Sequence, residues 1–258
     1  MSDPAAPPPD PRRTALVTGG GRGIGRAIAL RLATEGLRVV VCGRSEGELA
    51  AVAREAGGEA VQADLGSREG VGALVAELEA RKLTVDVLVN NAGIAESASL
   101  ARTTDDLWER TMFVNVTAPF LLTRALAPAM VARGFGRVVQ VASNAGVTGY
   151  AYTSAYVASK HALVGLTRAL AKELAKSGVT VNAVCPGFVR TRITEEAVRR
   201  IVEKTGRSQT EAELSLASHN PQGRLIEPDE VAVVVAMLAS DAARSVNGQA
   251  IVIDGGQV

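Results

Sequence analysis

An α/β fold, with one seven-stranded parallel sheet and helices on both of its faces, follows from three observations on the sequence. Seven short apolar stretches alternate with helical segments along the chain. The first two are joined by a glycine-rich turn and a helix, the βαβ arrangement of neighbouring parallel strands. The stretch Val85-Asp86-Val87-Leu88-Val89 places branched apolar side chains on both pleat faces, as a central strand covered from both sides requires.

Taken in order, the first unit is a strand at 14–18, a turn at 19–25, a helix to about residue 36 and a strand at 38–41. Further strands are predicted at 60–63, 85–89, 137–142, 179–184 and 250–253, with helices between them. Residues 190–222 break this rhythm: they are charged, helix-forming and longer than an ordinary connection, and read as a substrate lid or a disordered loop. Residues 14–258 are therefore expected to form one domain. Residues 1–13, rich in proline and alanine and without an apolar core, read as a disordered lead-in that is neither signal peptide nor anchor. The longest apolar runs elsewhere are judged too short to span a bilayer.

A chain of 258 residues with 47% hydrophobic content can fill one large core, and with only 3% aromatic residues it must do so with Ala, Val and Leu. The 28 basic residues are balanced by 27 acidic ones, so no excess charge points to nucleic acid or an anionic membrane. Cys42 and Cys185 fall in apolar, strand-like stretches and are expected as buried thiols in a reducing, cytoplasmic setting. The two histidines, His161 and His219, form no ligand pair with a cysteine, so no metal site is predicted. Trp108 and His161 read as packing or subunit-contact residues.

The turn Thr18-Gly19-Gly20-Gly21-Arg22-Gly23-Ile24-Gly25 lies between a strand and a helix. There, backbone without Cβ atoms can approach a pyrophosphate, and the helix amino end offers N–H groups and a positive dipole. An NAD-binding site of this kind places a carboxylate about 20 residues further on. Here the second strand ends in Cys42-Gly43-Arg44, with no acid to repel a 2′-phosphate and with Arg44 and Arg22 available to clamp one. NADP(H) is therefore expected over NAD(H). The plainer alternative makes Arg44 a surface residue opening a helix capped by Ser45.

Tyr156 and Lys160 are four residues apart, which on a helix puts phenol and ammonium on one face. A general acid or base works best near operating pH, whereas a free phenol titrates near pH ~10, so Lys160 is expected to pull the phenol down. A core aromatic beside a solvated lysine is the alternative on this pair alone.

These motifs, together with Asp64-Leu65, Asn90-Asn91-Ala92-Gly93, Ser143 and Cys185-Pro186-Gly187, make the chain resemble the short-chain dehydrogenase/reductase family from residue 14 to residue 256. The resemblance implies a single-domain Rossmann fold and an oxidoreductase that interconverts a ketone and a secondary alcohol. It implies a catalytic set of Asn115, Ser143, Tyr156 and Lys160. Tyr156 would pass the proton, Ser143 would orient the substrate oxygen, Lys160 would also hold the nicotinamide ribose, and Asn115 would hold a relay water. It also implies that Asp64 and Leu65 lie at the adenine, and that Asn91, Ala92 and Gly93 support the sheet beside the cofactor. Pro186, Gly187, Val189 and Thr191 would pass beside the nicotinamide. Family members usually assemble as homotetramers or homodimers through the helices carrying Asn115 and Tyr156.

The substrate is less legible. A pocket beside Tyr156 would be lined by Ile94, Ala95, Ala145, Val147, Tyr150 and Phe188, which suits a modest hydrophobic carbonyl compound. Arg190, Arg192, Arg199, Arg200, Lys204 and Arg207 would attract the phosphates of a CoA or carrier-protein thioester, unless the neighbouring glutamates neutralise them. The overall pattern, including Asn220-Pro221-Gln222-Gly223-Arg224, is most similar to bacterial 3-oxoacyl reductases and 3-hydroxyacyl dehydrogenases. Aromatic polyketide ketoreductases are a second reading, because Ile94-Ala95-Glu96 stands where they usually carry Pro-Gly-Gly. A non-catalytic nucleotide-binding sensor or scaffold is the alternative of another class, and such chains usually lose the tyrosine or the lysine that this one keeps.

Overall fold

The computed structural model describes residues 12–258. Most of the expected N-terminal segment, residues 1–11, lies outside the described residues. The strands are β1 (Thr14–Thr18), β2 (Arg38–Gly43), β3 (Glu59–Gln62), β4 (Val85–Asn90), β5 (Gly136–Val141), β6 (Val179–Pro186) and β7 (Ala250–Ile253). All pair in parallel in the order β3-β2-β1-β4-β5-β6-β7, so the sequence reading of seven parallel strands holds. Connections run one way from β1 to β3 and the other way from β4 to β7, so the order reverses between β1 and β4. A crevice opens there beyond the strand ends.

Alternation along each strand divides the core in two. Ala15, Val17, Val39, Val41, Val87 and Val89 face one side, where α1 (Gly23–Thr34), α2 (Glu46–Ala56) and α9 (Pro228–Ala239) pack. Leu16, Val40, Leu88 and Val138 face the other, beneath α3 (Arg68–Ala80), α5 (Ala118–Arg133) and α6 (Ser154–Glu173). Cys42 and Cys185 are buried free thiols, and burial pushes them up to about 12 and about 11.

The helix starts follow local chemistry. Ser67 accepts the Gly70 N–H at the head of α3, and Thr104 accepts the Leu107 N–H at the head of α4 (Asp105–Met112). Between α4 and α5 the helix widens into a π turn, Phe113–Thr117, in which the Ala118 N–H bonds the Phe113 carbonyl. The result is one continuous helical run, Asp105–Arg133, of 29 residues with a mean hydropathy of 1.3 in its most apolar window. By length and composition that run is enough to cross a bilayer, contrary to the expectation from the separate apolar runs. It packs as a core helix instead, with Ala118, Leu122 and Met130 fully buried against the sheet.

Residues 190–222 form two helices, α7 (Arg192–Thr205) and α8 (Gln209–Ala217), and not a disordered loop. Val198, Ala212, Leu216 and Leu225 give them a small core of their own beside Phe188. Ser208 and Glu211 cap α8 reciprocally. The base of this excursion is fastened by a bridge between Val189 and Ile226 and by Arg190, which ion-pairs with Glu213 and Glu227.

Candidate functional site

Where β1 and β4 end side by side, Thr18 and Asn91 tie the two chain reversals together. The buried Thr18 hydroxyl accepts the N–H groups of Asn91 and Ala92 at 2.9 and 3.0 Å. The Asn91 amide donates back to the carbonyls of Thr18 and Gly19 at 2.9 and 3.2 Å. This bracket fixes the glycine turn. Gly19 has φ +62°, and a Cβ on Gly25 would lie 2.2 Å from the Gly19 carbonyl oxygen, so the turn and α1 close only on bare backbone. The first turn of α1 carries no acid, which leaves its amino end open to an anion. Arg22, Gly23 and Ile24 open that helix, and Gly23 lies against Thr191, whose Cγ2 would be 3.3 Å from a Cβ there.

At the end of β2, a Cβ added to Gly43 would be in ordinary contact with Leu49 Cδ2 at 3.6 Å and Gly19 Cα at 3.9 Å, so a side chain there is accommodated without displacement at its first atom. Among the described residues the Arg44 guanidinium has no hydrogen-bond or ion-pair partner, its carbonyl alone being engaged by Gln62. Ser45 precedes α2 without a side-chain cap. Arg22 is not free in the same way, because Glu48 in the first turn of α2 pairs with it at 3.5 Å. Sequence reasoning looked for an acid on the strand and missed this one, which arrives from a helix. Asp64 is exposed just beyond β3 and caps its own turn at Gly66, while Leu65 is buried.

The four residues around Tyr156 come together on three elements. Asn115, 1% exposed, sits in the π turn; its Oδ1 accepts the Ile94 N–H, and its Nδ2 donates to the Ile94 carbonyl and to Ser159 Oγ. Ser159 in turn donates to the Tyr156 carbonyl at 2.7 Å. Asn115 thus clamps the loop after β4 to α6. Gly93 makes the approach possible, since a Cβ there would lie 3.2 Å from Asn115 Oδ1 and 3.6 Å from Lys160 Nζ. Ser143, beyond β5, accepts the Ala145 N–H and reaches the Pro186 carbonyl at 3.4 Å.

Lys160 is 5% exposed, donates to the Val141 carbonyl at 2.9 Å, and has its Nζ 5.7 Å from the centroid of the Tyr156 ring. Burial brings it down to about 8. The Tyr156 phenol moves the opposite way from the expectation: burial pushes it up, and the group that opposes this is the Ser143 hydroxyl, not the lysine. The reason is geometric. Spacing of four residues aligns Lys160 with the ring of Tyr156, while its ammonium turns to a strand carbonyl.

Pro186, Gly187, Val189 and Thr191 follow β6 as a strip beside these groups. A Cβ on Gly187 would lie 2.9 Å from Asp254 Cβ, which shows how closely the C-terminal segment packs here. Tyr150 and Phe188 meet edge to face at 6.1 Å, and Phe188 also touches His219, which the sequence reading left out of the pocket. Of the six cations singled out between 190 and 207, Arg190, Arg192 and Arg199 are ion-paired to glutamates, while Arg200, Lys204 and Arg207 make no ion pair among the described residues.

The model of the short chain dehydrogenase family matches residues 13–201. The chain belongs to that family. A crystal structure of an actinorhodin polyketide ketoreductase variant with NADPH superposes with a TM-score of 0.90 at 41% identity, covering 95% of this chain and 97% of that one. The acetoacetyl-CoA reductase of Rhizobium meliloti is 40% identical over 95% of this chain and 98% of its own length. The 3-oxoacyl-(acyl-carrier-protein) reductase of Haemophilus influenzae is 36% identical over 95% of this chain and 97% of its own. This short-chain dehydrogenase is thus similar to reductases of polyketide, CoA and carrier-protein type, and identity alone does not rank the first two.

The Thr18–Asn91 bracket makes a stability prediction. Thr18→Val keeps the side-chain shape but leaves two N–H groups without their acceptor, at about 1–3 kcal/mol for a buried group. Urea unfolding should show a loss of about 2 kcal/mol. An unchanged midpoint and slope would mean that the bracket does not hold the turn.

Proposed function

We propose that the protein is an NADP(H)-dependent ketoreductase acting on 3-oxoacyl-type carbonyl compounds. What supports this reading is that Ser143 and Lys160 lie about Tyr156, while a turn of closely packed bare backbone from Gly19 to Gly25 leads into the amino end of α1. In this reading the glycine turn and the amino end of α1 hold the pyrophosphate, with Asp64 and Leu65 at the adenine. Arg44, aided by Arg22, meets the 2′-phosphate, and the strip from Pro186 to Thr191 borders the nicotinamide. The bound cofactor supplies the hydride for reduction or accepts it in oxidation.

The chain's own residues handle the proton. Ser143 orients the substrate oxygen toward Tyr156, whose phenol donates its proton to that oxygen. A phenol raised by burial stays protonated at neutral pH, which favours the donor role and thus reduction. Lys160 holds a cofactor ribose hydroxyl with its ammonium, and Asn115 completes the relay that returns a proton from solvent.

Aromatic polyketide reduction is the second reading, favoured by the 0.90 TM-score to the actinorhodin enzyme. Ile94-Ala95-Glu96 in the loop after β4 keeps it second.

Purified protein should oxidise NADPH with a 3-oxoacyl thioester, with kcat/KM about tenfold or more above that with NADH. Gly43→Asp, whose Cβ meets Leu49 and Gly19 only at ordinary contact distance, should reverse the preference by setting a carboxylate against the 2′-phosphate. A wild-type preference for NADH would overturn the roles of Arg22 and Arg44, and turnover of aromatic diketones alone would favour the second reading.

The pH profile follows from Lys160. Its ammonium is present below about 8 and is lost as pH rises through that value, whereas the phenol keeps its proton beyond the ordinary phenol range. Reductive kcat/KM, which reports free enzyme, should be level at neutral pH and fall about tenfold per unit well above 8. A profile level to pH ~10 would show that the Lys160 ammonium takes no part in the reduction.

A further inference from the structure

The C-terminal segment reaches the site through a chain of hydrogen bonds whose polarity is fixed from one end. Asp254 is 3% exposed, and both of its carboxylate oxygens accept. Oδ1 takes the N–H groups of Gly256 and Gln257, while Oδ2 takes the Val258 N–H and the Asn144 side-chain amide. An acceptor at that position requires Asn144 to present Nδ2. The same Nδ2 faces Gln257 Oε1 at 3.1 Å, so Gln257 must turn Nε2 the other way, toward the Tyr150 hydroxyl at 2.7 Å. Tyr150 oxygen is therefore an acceptor from Gln257, and the Asn144 side chain, which also bonds the phenol, acts on it in the same sense as a donor, so both neighbours leave the phenol proton to a third partner.

Tyr150 is half-buried and fastened at both its backbone and its ring. Thr153 bonds the Tyr150 carbonyl at 3.0 Å, and Phe188 meets its ring at 6.1 Å. Asn144 directly follows Ser143, so the chain of bonds ends beside the group that orients the substrate oxygen. Burial first, with the Asp254 carboxylate adding to it, pushes Tyr150 above the ordinary phenol range, which keeps it protonated. Tyr150 also contributes to the upward push on Tyr156, so the two phenols share one electrostatic neighbourhood.

We propose that Gln257 is a positioning residue that makes Tyr150 a second hydrogen-bond donor beside Tyr156, selecting substrates with a second oxygen near the ketone, as in a 1,3-dicarbonyl, over simple ketones. This rests on the ketone-reducing reading above. Tyr156 then serves the reacting oxygen, and Tyr150 the carbonyl two carbons away.

The test compares NADPH-dependent reduction of an acetoacetyl thioester and of cyclohexanone by the full chain, as wild type, Tyr150→Phe, Gln257→Glu and their double variant. Gln257→Glu keeps the shape but offers Tyr150 an acceptor, drawing its proton away from the substrate. In each single variant the ratio of kcat/KM on the thioester to that on cyclohexanone should fall tenfold or more, mainly through KM for the thioester. The double variant should lose no more than Tyr150→Phe. Gln257→Ala, at the penultimate residue, checks the same ratio without an added charge and should show a smaller loss confined to the thioester. Equal losses on both substrates, no loss, or additive losses in the double variant would overturn the proposal while leaving the ketoreductase reading intact. NADPH oxidation by wild type with neither compound would overturn both.

Discussion

The bracket between Thr18 and Asn91 is the constraint on which the site depends. Parallel strands that end at the same level must send their chains apart, and β1 and β4 do so into α1 and into the loop leading to Ile94. One hydroxyl and one amide, exchanging four bonds, hold these departures in register. From there the order propagates. The loop after β4 brings Gly93 against Asn115 and Lys160, Asn115 fastens Ile94 and Ser159, and Ser159 holds the turn of α6 that carries Tyr156. The glycine turn and the phenol are thereby parts of one frame, although 138 residues separate Thr18 from Tyr156.

Within that frame, burial decides the charge states. Lys160 and Tyr156 both stand where low polarity disfavours their charged forms, so the lysine drops to about 8 and the phenol rises. A phenol that holds its proton is an acid in waiting. The Lys160 ammonium, 5.7 Å from the centroid of that ring, turns to the Val141 carbonyl and is not among the groups that move the phenol.

The strands were legible because each is apolar on both faces, and every predicted strand overlaps an observed one. The turn from Thr18 to Gly25 was legible because close backbone approach leaves glycine as its signature in sequence. Other features leave no such local mark. A π turn differs from an α turn by one residue's register, and Asn115 in a long helical run shows only that something is unusual. Glu48 enters the Arg22 neighbourhood from another element, and the Asp254–Asn144–Gln257–Tyr150 chain joins residues more than 100 positions apart. The expected effect of Lys160 on the phenol failed for a related reason: helical spacing fixes which face two side chains share, and tertiary partners fix where their polar ends point.

Every other role proposed for the site depends on the Tyr156 hydroxyl being the acid for carbonyl reduction. Single-turnover reduction by Tyr156→Phe, with NADPH affinity measured in parallel by fluorescence titration, tests it most directly, because the phenyl ring keeps the packing and removes only the proton. The account predicts a fall of about 10² or more in the hydride-transfer rate with cofactor affinity within a few-fold of wild type. A rate close to wild type would contradict it.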